Sequence, residues 1–145
     1  MTSTKARYLL DVNLLIARTF KDHEHYSAAS EWFKTPGLQW ALCPFTEAGF
    51  LRYATAPGRG NLSMGDATAI LDRLAQHPGY QFQPHIEEWR SFTKPFFNRL
   101  HGHNQVTDAY LLGVAIRNNL VLATFDRGIL HLAGEDRRSV WIVGG

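Results

Sequence analysis

A single cysteine, Cys43, is present in 145 residues, which excludes an internal disulfide framework and fits a reducing compartment, the cytoplasm. Cys43 falls inside an apolar, strand-like run, so it is expected to be a buried core thiol rather than a nucleophile. No apolar run is long enough to span a membrane. Lys5 and Arg7 precede the apolar stretch 8–17 as in a signal peptide, but Asp11 and Asn13 interrupt it and no small-residue cleavage site follows, so a leader is not expected. Neither sign of charge is in excess: the formal net charge of +2 is too small to imply a polyanionic partner by itself. Repeats, low-complexity segments and linkers are missing. The glycines of Ala56-Pro57-Gly58-Arg59-Gly60 do not match a phosphate-binding loop.

The composition that remains is ordinary for a folded chain, with 45% hydrophobic and 19% charged residues. By length, residues 1–145 are expected to form one domain that buries roughly 68–70% of the surface of its unfolded form. The pattern along the chain alternates strand and helix. Tyr8, Leu9 and Leu10 read as a first strand ended by Asp11, with a helix beginning at Val12. Residues 25–35 carry Tyr26, Ala29, Trp32 and Phe33 on one face and stop at Pro36-Gly37, as an amphipathic helix does. Residues 38–43 read as a second buried strand, and Pro44 suits the first turn of the helix that continues to Tyr53.

Ser63 and Asp66 have the spacing of a helix cap, and His77-Pro78-Gly79 ends that helix. Residues 80–83 are expected to form a short edge strand, and residues 86–100 a helix broken or restarted at Pro95. Thr107-Asp108 then opens a helix that Asn118 and Asn119 end, and residues 120–124 form a wholly apolar strand. A short helix to Ala133, an exposed charged turn at 135–138 and a last strand at 140–143 close the chain. The aromatics Trp32, Phe92, Phe96 and Phe97 read as core or as an interface, and their helical spacing favours the core. The expected class is α/β, with a mainly parallel sheet covered by helices on both faces.

Four acids stand at equivalent places in this pattern. Asp11, Glu47, Asp108 and Asp126 each lie at a strand's C-terminal end or in the first turn of the following helix, the edge where open α/β sheets bind ligands. Each also has a local explanation, as a helix cap or as a charge favoured at a helix N-terminus. Together they have an energetic consequence. At about 6 Å and an effective dielectric of about 20, each carboxylate pair repels by about 3 kcal/mol, and six pairs by on the order of 15 kcal/mol. That is comparable to the whole stability of a domain. Protons, arginines or a divalent cation must neutralise such a cluster. The donors are hard oxygens without matching Cys or His, which favours Mg²⁺ or Mn²⁺ over zinc, and such an ion suits phosphodiester hydrolysis.

The words LLDVNLLIA around Asp11, TEAGFLR around Glu47, VTDAYLLGVAIRNN around Asp108 and LATFDRGI around Asp126 give the sequence its resemblance to the PIN-domain family, most closely to the ribonuclease toxins of VapBC toxin–antitoxin modules. The resemblance implies a PIN-like fold and cleavage of RNA at a Mg²⁺ or Mn²⁺ site formed by Asp11, Glu47, Asp108 and Asp126, leaving 5′-phosphate and 3′-hydroxyl ends. In it Asp11, Glu47 and Asp108 bind the ion directly and Asp126 ranks below them, often acting through water. Asn13, where Ser or Thr is frequent in the family, and Thr124 would orient ligands by hydrogen bonds. It further implies a VapB-like antitoxin covering the acidic site, and a homodimer or a hetero-oligomer with that antitoxin.

Arg52, just beyond Glu47, is a candidate anchor for a carboxylate or an RNA phosphate, with a surface salt bridge equally open. His101 and His103 in the loop before Asp108 are candidates for phosphate contact or proton transfer, against a structural role. Arg59, Lys94, Arg99, Arg127, Arg137 and Arg138 read either as a backbone-binding surface or as scattered solvated charges. Two other readings compete. A haloacid-dehalogenase-like phosphatase or a receiver domain also places Asp after the first strand, but the phosphatase needs a second Asp where Asn13 stands, and neither finds its lysine. A non-catalytic PIN module would bind RNA or protein, and such modules usually lose acids that this chain keeps.

Overall fold

A computed structural model describes residues 6–84 and 87–145. Four short strands, β1 (Arg7–Leu10), β2 (Gln39–Ala41), β3 (Val121–Thr124) and β4 (Val140–Ile142), form one sheet in the order β2-β1-β3-β4, and every pairing is parallel. The register is fixed by Tyr8 opposite both Trp40 and Val121, and by Leu122 opposite Val140. Among the described residues, seven α-helices surround the sheet: α1 (Val12–Thr19), α2 (Tyr26–Phe33), α3 (Pro44–Thr55), α4 (Met64–Leu74), α5 (Trp89–Thr93), α6 (Val106–Arg117) and α7 (Gly128–Ala133).

Because successive strand residues point to opposite faces, the sheet sorts its apolar side chains into two cores. Tyr8, Leu10, Trp40 and Ala123 face one core, built with α1, α2, α3 and α4; Leu9, Ala41 and Leu122 face the other, built with α5, α6 and α7. The expected α/β layering, helices on both faces of a parallel sheet, is what the chain adopts. Strands buried on both sides are continuous apolar runs, which is why residues 8–10 and 121–123 show no polar alternation. Cys43 lies fully buried in the second core. Among the described residues no helix is long and apolar enough to cross a membrane.

The structure departs from sequence expectation in four places. Residues 80–83 run beside β2 and donate the Gln81 and Gln83 amides to the carbonyls of Trp40 and Leu42 (3.0 and 2.9 Å), but only the Trp40–Tyr80 pair forms a ladder bridge, so this is a strap rather than a strand. The expected helix 86–100 begins at Trp89 and tightens into a 3-10 segment, Lys94–Arg99, where Pro95 has no amide to give; Ile86 lies outside the described residues. Helix α6 starts at Val106, behind a 3-10 turn at His103–Gln105, instead of being capped by Thr107. Trp32, Phe92 and Phe96 are core residues as expected, but Phe97 is 66% exposed, because 3-10 winding swings it off the face that Phe96 buries.

Candidate active site

At the C-terminal edge of the two central strands, β1 and β3 end together. Asp11 follows β1 and extends its pairing by donating its amide to the Ala123 carbonyl (2.9 Å), then serves as the N-cap of α1. Its carboxylate is only 5% exposed; Oδ1 accepts the Val12 amide (2.7 Å) and Oδ2 accepts the Thr124 hydroxyl (2.7 Å). Thr124, the last residue of β3, accepts in turn from the Asp126 amide (3.0 Å) and from Asn13 Nδ2 (3.4 Å). Asp126 Oδ1 accepts the Gly128 amide (2.8 Å) at the start of α7. Asp108 projects from the first turn of α6. The capping role available to Asp11 is thus realised, and the Thr124 hydroxyl links its carboxylate to the Asp126 backbone.

The electrostatics bind three of the four acids together. Burial pushes the Asp108 carboxyl from 3.8 up to about 7, helped by the negative charges of Asp11 and Asp126 and by a hydrogen bond with the Asp126 side chain. Burial also raises Asp11, opposed by its hydrogen bonds from Thr124 and Val12 and reinforced by Asp126. Two carboxyls in hydrogen-bond contact share a proton more readily than they bear two charges. Glu47 stands apart. Its carboxyl is raised by burial, and its charge bears on Tyr80, whose hydroxyl is raised by burial first and by Glu47 next. The α3 wall of the cleft consists of Phe45, Ala48, Gly49 and Arg52. Glu47, two residues from Phe45, falls on the far side of the helix from it.

That cleft has a volume of about 430 Å³, with Asp11, Asn13, Thr107 and Asp108 opposite the α3 residues. Arg52 is exposed and, among the described residues, is paired with no carboxylate, so the cleft's cation is available to an anion entering beside the acids. His103 is exposed in the turn before α6 and makes no hydrogen bond or ion pair with the acids, while His101 stacks on His131 at 5.9 Å. The sequence reading missed Thr46. Its buried hydroxyl donates to the Leu10 carbonyl (2.9 Å) and so ties the first turn of α3 to the end of β1. The signal was present in TEAGFLR, where a hydroxyl precedes the acid.

Among the described residues no three or more His, Cys, Asp or Glu side chains gather tightly enough to hold a metal ion as they stand. The donor chemistry nevertheless fits a hard cation. Asn13 donates through Nδ2 to the same Thr124 hydroxyl that holds Asp11, its Oδ1 is buried without a hydrogen-bond partner, and the neighbouring Asp11 and Asp108 carboxyls are raised first by burial and then by nearby negative charge. An orphaned carbonyl oxygen beside crowded carboxylates is the kind of oxygen set that Mg²⁺ or Mn²⁺ takes.

Known proteins share this fold. The PIN domain family matches residues 8–135. Ribonuclease VapC38 of Mycobacterium tuberculosis is 38% identical over 130 residues, 88% of this chain and 90% of the relative. Ribonuclease VapC29 of the same organism is 33% identical over 127 residues, 88% and 91% of the two chains. Among solved structures, VapC20 of M. tuberculosis, a sarcin-ricin loop cleaving toxin, superposes with a TM-score of 0.63 at 6% identity, covering 84% of this chain and 92% of that one. VapBC2 from Rickettsia felis, bound to a DNA fragment from its promoter, superposes with a TM-score of 0.62 at 14% identity, covering 87% and 92%.

Proposed function

The chain belongs to the PIN-domain family, and from that premise we propose that it is a metal-dependent endoribonuclease of the VapC type, the toxin of a type II toxin–antitoxin pair. The observation that carries the reading is the coupling of Asp11, Asp108 and Asp126 at one sheet edge, with Asp108 raised to about 7. Relatives named as ribonucleases at 33–38% identity over most of both chains support RNA as the substrate. The partner proposed is a VapB-like antitoxin, the assembly a homodimer or a hetero-oligomer with it, and the compartment the cytoplasm.

Asp11, Asp108 and Asp126 would hold Mg²⁺ or Mn²⁺, with the free Asn13 Oδ1 beside them and Glu47 acting from the adjoining helix. When bound, the cation offsets the repulsion between carboxylates and supplies Lewis acidity for phosphodiester hydrolysis. The chain's own work is positioning. Thr124 fixes the Asp11 carboxylate and, through the Asp126 amide, the turn that carries the third acid. Arg52 is placed to receive the phosphate of an entering strand, and the expected products are 5′-phosphate and 3′-hydroxyl ends. Purified Asp11→Ala and Asp108→Ala variants, assayed on RNA with Mg²⁺ and with EDTA, are expected to lose all Mg²⁺-dependent cleavage while circular dichroism shows an intact fold. Undiminished cleavage by either variant overturns the assignment, and RNA binding without Mg²⁺-dependent turnover in the unaltered chain points instead to a binding module.

A further inference from the structure

We propose that a second cleft, at the other end of α1, binds a nucleoside phosphate. Asp11 caps the start of α1 and Arg18 lies in its last turn, about 10 Å further along the axis. The cleft has a volume of about 710 Å³, and its walls include Arg18, Lys34, Arg73, Tyr26, Phe33 and His77. Among the described residues lining it there is no acid, and none is shared with the aspartate cleft.

Arg18 is the centre of the argument. Its Nε is buried and has no hydrogen-bond partner, and its guanidinium lies over the Phe33 ring at 5.5 Å. Arg73 is near enough for its charge to act on Arg18. Among the described residues neither arginine has a carboxylate partner, and Lys34 has only the exposed Glu31 at 3.5 Å, a weak pairing. Two neighbouring guanidiniums without a counterion, one holding an unused buried donor, are unfavourable until an anion enters.

His77 adds a further donor. Its Nδ1 accepts both the Trp40 indole N–H (3.1 Å) and the Gly79 amide (2.9 Å), so the ring proton is confined to Nε2. Arg18, Lys34, Arg73 and His77 are then all donors, as a phosphate requires, and bidentate guanidinium contact is the strong form of that recognition. The half-buried rings of Tyr26 and Phe33 supply aromatic surface for a base. The volume lies within the roughly 300–1,000 Å³ of small-ligand sites.

The nucleoside phosphate is either a free mononucleotide or one unit of an RNA strand, and the second source rests on the ribonuclease reading above. The test measures AMP and inorganic phosphate by calorimetry, and a labelled single-stranded RNA octamer by fluorescence anisotropy, all in EDTA. AMP is expected to bind, and Arg73→Glu, at an exposed position, to weaken it about tenfold at an unchanged melting temperature. Displacement of the octamer by AMP assigns the cleft to the RNA strand; AMP binding without displacement assigns it to free nucleotide. The proposal is overturned if AMP fails to bind, if Arg73→Glu leaves its affinity unchanged, or if phosphate alone binds as tightly as AMP. Arg18→Gln is the stronger variant, and Arg73→Glu decides the matter should it fail to fold. Because binding is read without turnover, failure of RNA cleavage does not touch this result.

Discussion

Thr124 holds three hydrogen bonds on one hydroxyl, giving its proton to Asp11 and accepting from the Asp126 amide and from Asn13. Thr124→Val keeps the shape and removes all three, leaving Asp11 Oδ2 buried beside a methyl group. The expected loss is about 1–3 kcal/mol of unfolding free energy by urea titration, with RNA cleavage falling at least as far; Thr124→Ser should restore both. Asp108 makes the opposite case. Its carboxyl is at about 7 folded against 3.8 unfolded, so between those values the folded chain holds the extra proton and the group's contribution to stability is lost as pH rises through about 7. Asp108→Asn, neutral at every pH, is expected to melt a few degrees above the unaltered chain at pH 8 and level with it at pH 4 in calorimetry, while inactive on RNA. Asp11, Glu47 and Asp126 were legible as acids at or just past a strand's end, whereas Asp108 opens α6 behind a 3-10 turn, with no strand directly before it, and was legible only as an acid in a helix's first turn. The bearing of Glu47's charge on Tyr80 was not legible, because residues 80–83 come beside β2 only in the folded chain.

Among the elements, α5 and α6 meet most closely at Gly113, where an added Cβ would stand 2.3 Å from the Phe92 carbonyl oxygen. Neither helix can yield without moving Phe92 and Tyr110, whose rings pack edge to face at 5.2 Å. Gly113→Ala is therefore expected to cost about 1–3 kcal/mol in chemical denaturation. Gly65→Ala in α4, where the nearest atom is Ser63 Oγ at 3.9 Å, should be neutral or stabilising by up to about 1 kcal/mol. Strands β1, β2 and β3 were legible because the buried parts of parallel strands, 8–10, 40–41 and 122–123, are short apolar runs. Residues 80–83 misled because their alternation matches a strand, while one bridge to Trp40 is all the pairing they form. Phe97 misled because helical spacing was counted through Pro95, where the winding changes.

For the whole molecule, the two clefts give α1 an acidic end and a basic end, an arrangement in which Arg18 also complements the helix C-terminus. The proposed cation site adds a measurable linkage. Carboxylates must shed protons to bind it, so Mg²⁺ should raise the melting temperature more at pH 8 than at pH 5 in a thermal-shift titration, and Asp108→Asn should flatten that difference. The central strands impose an order in time as well. Tyr8 pairs with Val121, and the Asp11 carboxylate waits for the hydroxyl of Thr124, so the acid edge is assembled from the two extremes of the chain. Contacts of such long sequence separation form late. On the ribosome, the edge stays open until the codon for Thr124 has been read, so no shorter nascent chain carries the proposed cation site.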